Sequence, residues 1–177
     1  VTASHLDGQT LTAKRVDPSQ SNFYIDGIPE GRRLTTPTAG DSLGGVFAGL
    51  TLDDVKPAGD IPAEQWAQAV RTEGITFDGL ILTARSIQQD GKTWAIFEAA
   101  AASPAEGEQA KPEIAAQAEE LNTRLSPWAF AIADFKARAL RTGWEEVLVK
   151  QEPAAAQPAD AEPTDTPPAE QPIDDGE

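Results

Sequence analysis

The stretch that decides the fold runs from Ile75 to Ala99 and reads ITFDGLILTARSIQQDGKTWAIFEA. From Ile75 to Ile87 successive side chains alternate between two faces, which is the period of a β-strand. Asp90-Gly91 is the preferred pair for a two-residue hairpin turn. The alternation then resumes from Thr93 to Ala99, so the stretch predicts an antiparallel hairpin.

Working outward, the same reasoning predicts further strands. They are Thr10–Val16, Asn22–Ile28, Arg32–Thr35, the extended Leu52–Val55, and Trp128–Ile132, where large residues alternate with alanines.

Apolar residues at helical spacing predict helices in the remaining segments. A short helix begins at Asp41 or Ser42 and carries Leu43, Val46, Phe47 and Leu50 on one face. A second begins near Pro62, places Trp66 and Val70 four residues apart, and ends at Gly74; the others span Pro112–Arg124 and Asp134–Leu140. The sum is an α+β fold, a mainly antiparallel sheet with two to four helices packed on one side.

Composition divides the chain at about residue 150. Residues 151–177 contain six Pro, six Ala, eight acidic residues and no Lys or Arg, which predicts a disordered, self-repelling C-terminal tail. Residues 1–150 are expected to form the α+β domain. The chain begins with Val1 and contains no Met, so we expect it to be the C-terminal part of a longer chain.

Charge and residue content exclude several function classes. The 177 residues hold 14 basic and 29 acidic side chains, a net charge of −15, which repels nucleic-acid phosphates. Cysteine is absent, so disulfides, thiolate metal sites and thiol catalysis are excluded. No apolar run approaches the roughly 20 residues of a membrane span, so the segment shown is expected to be soluble.

No catalytic, cofactor-binding or metal-binding residues are predicted, and His5, the only histidine, is expected to be solvated. The weak candidate surface consists of Asp78 and the tryptophans Trp66, Trp94 and Trp128. Asp78 interrupts an apolar strand beside Gly79, so its carboxylate either points into a groove or hydrogen-bonds local backbone N–H groups, and the second interpretation is favoured. These tryptophans and Trp144 are expected to face the core.

Three stretches, in this order and spacing, resemble one known family over about residues 10–150. They are FYIDGIPEGR (23–32) leading to LTLDDV (50–55), TFDGL (76–80) followed by DGKTW (90–94), and WAFAI (128–132) leading to Phe135 and Lys136. The resemblance is to the bacterial domain-of-unknown-function family 4340. It implies a membrane-anchored cell-envelope protein on the periplasmic or extracytoplasmic face of the inner membrane. It also implies association with an uncharacterised ABC-type transport system related to gliding-motility components, and membrane contact only through an upstream anchor absent from this chain. It does not imply a catalytic activity, because none is established for the family.

Three functions remain open from the sequence. The first is a non-catalytic envelope module that contacts partner proteins, including transporter components, without a cofactor or nucleic acid. The second is a small-ligand or glycan binder, in which tryptophans and Asp78 line a groove. The third is a carboxylate-dependent hydrolase with Asp78 as one member of a pair, which requires a second carboxylate about 5–9.5 Å away.

Overall fold

The computed structural model of the protein describes residues 1–4, 8–103 and 111–150. These contain ten strands: β1 (Thr2–Ser4), β2 (Thr10–Lys14), β3 (Tyr24–Asp26), β4 (Arg32–Leu34), β5 (Leu52–Pro57), β6 (Val70–Ile75), β7 (Leu80–Gln89), β8 (Lys92–Ala101), β9 (Trp128–Ile132) and β10 (Leu148–Lys150). The helices are α1 (Asp41–Gly44), α2 (Ala63–Trp66), α3 (Pro112–Leu125), α4 (Asp134–Leu140) and α5 (Trp144–Val147), with a 3₁₀ turn at Ala58–Asp60. The prediction of a disordered tail concerns residues outside the described part.

Eight strands form one sheet in the order β3-β2-β1-β6-β7-β8-β9-β5, and every pair in it is antiparallel. β4 and β10 form a separate two-stranded ribbon. The prediction of an α+β fold with a mainly antiparallel sheet is therefore confirmed.

The central hairpin is β7 and β8, and it was predicted from the Asp90-Gly91 pair. The two strands pair over ten residues each, from Gln89 opposite Lys92 to Leu80 opposite Ala101. Asp90 and Gly91 have φ of 52° and 75°, the left-handed values that a type I′ turn requires.

The prediction of one strand from Ile75 to Ile87 is wrong. β6 ends at Ile75, residues 76–79 form a turn, and β7 begins at Leu80. Gly79 has φ of 99°, and its N–H donates to the Thr76 carbonyl at 3.1 Å. The Asp-Gly pair at 78–79 is therefore a second hairpin turn hidden inside an alternating sequence.

Two of the helix predictions are also wrong in extent. The helix expected from Pro62 to Gly74 lasts only from Ala63 to Trp66, and Val70–Ile75 is strand β6. Strand β6 is paired with β7 along its whole length, so sheet pairing overrides the helical spacing of the apolar residues. The helix α1 likewise ends at Gly44 and continues as turns, because glycines at 44, 45 and 49 weaken a helix.

The sheet has a helical face and an outer face. On the helical face, sheet residues such as Ala84, Ala95 and Ile132 pack against α4 and the segment after α1. The same face packs against α3 through Ile114 and Ala118, and against α1 and α5 in a third cluster. Of the five helices in the described residues, four thus pack on one side, as predicted, and α2 packs on the outer face.

Helix α3 also closes an open edge of β8. β9 pairs with β8 only from Thr93 to Ala95, so no strand of the described chain flanks the later residues of β8 on that side. The Asn122 side chain fills this position, since its amide oxygen accepts from the Ala99 N–H and its amide nitrogen donates to the Ala99 carbonyl, both at 2.8 Å.

The β4–β10 ribbon joins distant parts of the chain. Leu148 pairs with Leu34, and the Thr35 N–H donates to the Val147 carbonyl at 2.9 Å. Val147 and Leu148 are buried in one cluster with residues of the first three strands and α1: Ala3, Leu11, Ala13, Ile25 and Leu43. The last strand of the described chain therefore completes the core beneath the first three.

Candidate functional site

The structure does not bring the four sequence-predicted residues together. Trp66 and Trp94 share one cluster on the outer face. Trp128 begins β9 on the helical face, because it alternates with the outward-facing Ala129. Asp78 lies at the turn before Leu80, whereas Trp94 pairs with Ile87, seven residues or roughly 23 Å further along β7.

Asp78 has the geometry of a turn residue. The Thr76 hydroxyl donates to its carboxylate, and the Lys111 ammonium donates to its carbonyl at 3.1 Å. The hydroxyl, with a smaller contribution from Lys111, holds the pKa of the Asp78 carboxyl below its ordinary value. An exposed carboxylate that is stabilised in its ionised form is poorly suited to act as a general acid.

The Trp94 indole is covered by cations. It is 6% exposed, and the Lys56 ammonium lies 4.0 Å from the ring centroid, with Lys92 at 5.9 Å. Lys56 donates to the Gln89 amide oxygen at 3.1 Å, and Lys92 forms an ion pair with Asp54 at 2.9 Å. The ring therefore offers no free face on which a sugar could stack.

The expectation that every tryptophan faces the core is wrong for Trp128, which is 41% exposed. Trp66 and Trp144 are half-buried. Trp128 lies opposite Pro57 of β5, which is the last strand of the sheet among the residues that the structure describes. Its exposure follows from this position at the sheet edge.

Trp128 belongs to what we call the apolar edge patch: Leu52, Val55, Trp128 and Phe135. The other three side chains are exposed by 46%, 51% and 62% respectively. Val55 pairs with Phe130 and Leu52 with Ile132, so the first three lie along neighbouring edge strands. Phe135 follows in the first turn of α4. The sequence reasoning missed this patch because no local signal identifies β5 as the edge of the sheet.

A second feature that the sequence reasoning missed is a polar cleft of about 450 Å³ between α2 and the end of β7, which we call the glutamine cleft. Gln65 and Gln68 line it from α2 and the following turn, and Ser86 and Gln88 line it from β7. Arg141, which follows α4, closes it. The signal in the sequence was the serine at position 86, a polar residue on the apolar face of a strand.

Two buried polar atoms of the glutamine cleft have no hydrogen-bond partner in the described part of the chain. Ser86 is 1% exposed and its hydroxyl is unpaired, and the Arg141 guanidinium has an unpaired buried Nη1. Buried polar groups are normally paired, so unpaired ones in a cleft call for an explanation.

A larger cleft of about 710 Å³ shares Gln88 and Arg141 with the glutamine cleft. Its charged lining residues are Asp134, Arg138, Arg141 and Glu146, two of each sign. Glu146 is engaged in the start of α5, where its carboxylate accepts from the Gly143 N–H at 2.8 Å. The charges that line the larger cleft therefore cancel in sum.

Within residues 1–4, 8–103 and 111–150, no group of three or more His, Asp or Glu side chains is placed to hold a metal ion. None of the helices in this part of the chain combines the length and apolarity needed to cross a bilayer. Comparison of the chain with known protein families, with characterised proteins and with solved structures finds no match.

Proposed function

We propose that this chain is a non-catalytic module that mediates protein–protein contacts in the bacterial cell envelope, on the periplasmic or extracytoplasmic face of the inner membrane. Its partner in this proposal is a component of an ABC-type transport assembly. The resemblance to the domain-of-unknown-function family 4340 supports the envelope setting. The apolar edge patch is the observation that supports protein contact.

The patch has the properties of a contact surface rather than of scattered exposure. Three large apolar side chains lie on the neighbouring strands β5 and β9, the fourth lies in the first turn of α4, and each is between 41% and 62% exposed. Contiguous exposed apolar groups on a soluble domain mark interaction sites, and tryptophan is enriched among the residues that dominate binding energy.

The backbone of the edge favours side-chain docking over the addition of another strand. The pairing of β5 with β9 shifts register between Leu52 and Asp54, which leaves Asp53 in a bulge. Bulges and charged side chains at an edge discourage pairing with a further strand. We therefore propose that a partner covers Leu52, Val55 and Trp128 with its own apolar side chains.

The two other functions have less support. The groove of tryptophans and Asp78 required for glycan binding lacks an open indole face at Trp94, and Asp78 lines none of the clefts described above. For the hydrolase, the charged group that acts on Asp78 is the cation Lys111 rather than a second carboxylate.

Photo-cross-linking in the native host tests the proposal. The photoreactive residue p-benzoylphenylalanine replaces Val55 in the patch or, as the control, Val16, another exposed valine. Val16 follows β2, which lies six strand positions from β5, or roughly 29 Å. Both residues are exposed, so both variants are expected to fold.

We expect the Val55 probe to cross-link a subunit of an envelope ABC-type transport assembly, identified by mass spectrometry, and the Val16 probe to give no such product. A Trp128→Ser substitution, made together with the Val55 probe, should reduce the yield at least fivefold. Cross-linking only to a second copy of this chain, or equally from both positions, would contradict the proposal.

A further inference from the structure

We infer that the glutamine cleft is a binding site for a small hydroxylated monocarboxylate, a sugar acid of the uronic type, whose carboxylate is held by Arg141 and Ser86. The inference is independent of the proposed protein contacts, because none of the residues of the apolar edge patch, on β5, β9 and the start of α4, lines the cleft between α2 and β7.

The first step concerns the unpaired donors. Ser86 and Arg141 both line the cleft, and both hold a buried donor atom without a partner in the part of the chain that the structure describes. Ser86 pairs with Val70 across the β6–β7 ladder, so its position is fixed by the sheet rather than by a flexible loop. Two unpaired donors in the lining of one cleft, one of them held in place by the sheet, favour a ligand that brings acceptor oxygens.

The second step concerns the charge of the ligand. Arg141 is the only cation among the residues that line the cleft, and Glu64 is the only anion, so the lining is neutral overall. A guanidinium binds a planar carboxylate through two parallel hydrogen bonds. A doubly charged phosphate would be left half-neutralised in a chain whose net charge is −15, which favours the monocarboxylate.

The third step concerns the rest of the ligand. Gln65, Gln68 and Gln88 bring carboxamides to the cleft, and each can both donate to and accept from a hydroxyl group. Val70 and Ile87 add apolar surface against which the C–H groups of a sugar ring can pack. The volume of about 450 Å³ lies within the range of small-molecule sites.

Isothermal titration calorimetry on the full chain tests the inference, with D-glucuronate and D-galacturonate as probes. D-glucose has the same ring without the carboxylate, and glucose 6-phosphate carries a phosphate instead. We expect at least one uronate to bind with a Kd below about 10 mM. Glucose and glucose 6-phosphate should bind at least tenfold more weakly.

Substitutions locate the site. Arg141→Gln and Ser86→Ala should weaken uronate binding, by at least tenfold and about threefold respectively. Gln68→Glu places a negative charge at an exposed position in the lining and should weaken binding without affecting folding. The matched control is Arg138→Gln, the same change one helical turn earlier and outside this cleft, which should leave Kd within twofold.

Thermal unfolding of each variant verifies that it is folded. Absence of saturable binding by both uronates would overturn the inference. It would also be overturned if glucose 6-phosphate bound more tightly than the uronates, or if uronate binding survived both Arg141→Gln and Gln68→Glu.

Discussion

Asn122 should contribute more to stability than any exposed polar residue of its helix, because it completes the hydrogen bonding of β8. Its amide makes both hydrogen bonds to Ala99 at 2.8 Å, in a partly buried position. A hydrogen bond of this kind stabilises a folded protein by about 1 kcal/mol net, so Asn122→Ala loses about 2 kcal/mol. The higher helix propensity of alanine returns about 0.5 kcal/mol, which leaves a loss of about 1.5 kcal/mol.

Two measurements check this figure. For a chain of this length, about 1.5 kcal/mol corresponds to a fall in Tm of roughly 5 °C, and urea unfolding should report the same free energy. In addition, hydrogen exchange followed by NMR should show the Ala99 amide losing about tenfold of its protection, because its acceptor is gone.

Thr123→Ala is the matched control, since it removes a polar side chain at the next position of α3. The Thr123 hydroxyl donates only within the helix, to the Glu119 carbonyl at 2.9 Å, and is exposed. Thr123→Ala gains the same helix propensity without losing a contact outside the helix, so Tm should stay unchanged or rise by no more than about 2 °C. If Asn122→Ala behaved like Thr123→Ala and the exchange of the Ala99 amide were unchanged, the argument that α3 substitutes for a strand at this edge would be wrong.

Three further results are expected. Thr72→Val should lower the free energy of unfolding in urea by about 1–2 kcal/mol, because the buried Thr72 hydroxyl donates to the Leu140 carbonyl, at the end of α4, at 2.6 Å. An unchanged free energy of unfolding would contradict this prediction. Gly44→Ala should lower the free energy of unfolding by about 1–3 kcal/mol, because the new methyl group would overlap the Phe23 ring. Gly59→Ala places its methyl group in open space and should change the free energy of unfolding by no more than about 0.5 kcal/mol. Equal effects of the two substitutions would contradict the close packing of Gly44 against Phe23. In an NMR pH titration the pKa of the Asp54 carboxyl should lie below its ordinary value, because Lys92 donates a hydrogen bond to it, and this pKa should rise in the Lys92→Met variant. The stabilisation of the fold by this pair is therefore present at neutral pH and is lost as pH falls through the lowered pKa.

The parts of the fold that could be predicted are those that depend on neighbouring residues. The turn at Asp90-Gly91 and the helix α3 follow from local chemistry, because a positive φ and an amphipathic stripe are properties of short segments. The turn at Asp78-Gly79 has the same chemistry but was obscured by alternation on both sides of it. A rule that treated each Asp-Gly pair within an apolar alternation as a turn would have found it.

The parts that could not be predicted depend on contacts between distant residues. β1 pairs with β6 about 70 residues later, and no local signal determines that partner. The exposure of Trp128 depends on β5 being the last strand of the sheet. The glutamine cleft joins α2 to Arg141, two segments that meet only in the folded chain.

The β4–β10 ribbon has a consequence for biosynthesis. Ile25 packs in a cluster that Val147 completes, and 122 residues separate the two. At about 5–20 residues per second, a ribosome makes Val147 roughly 6–25 s after Ile25. During that interval the apolar side of the first strands stays exposed on the nascent chain. A chaperone of the holdase type therefore has its longest opportunity to bind at this region.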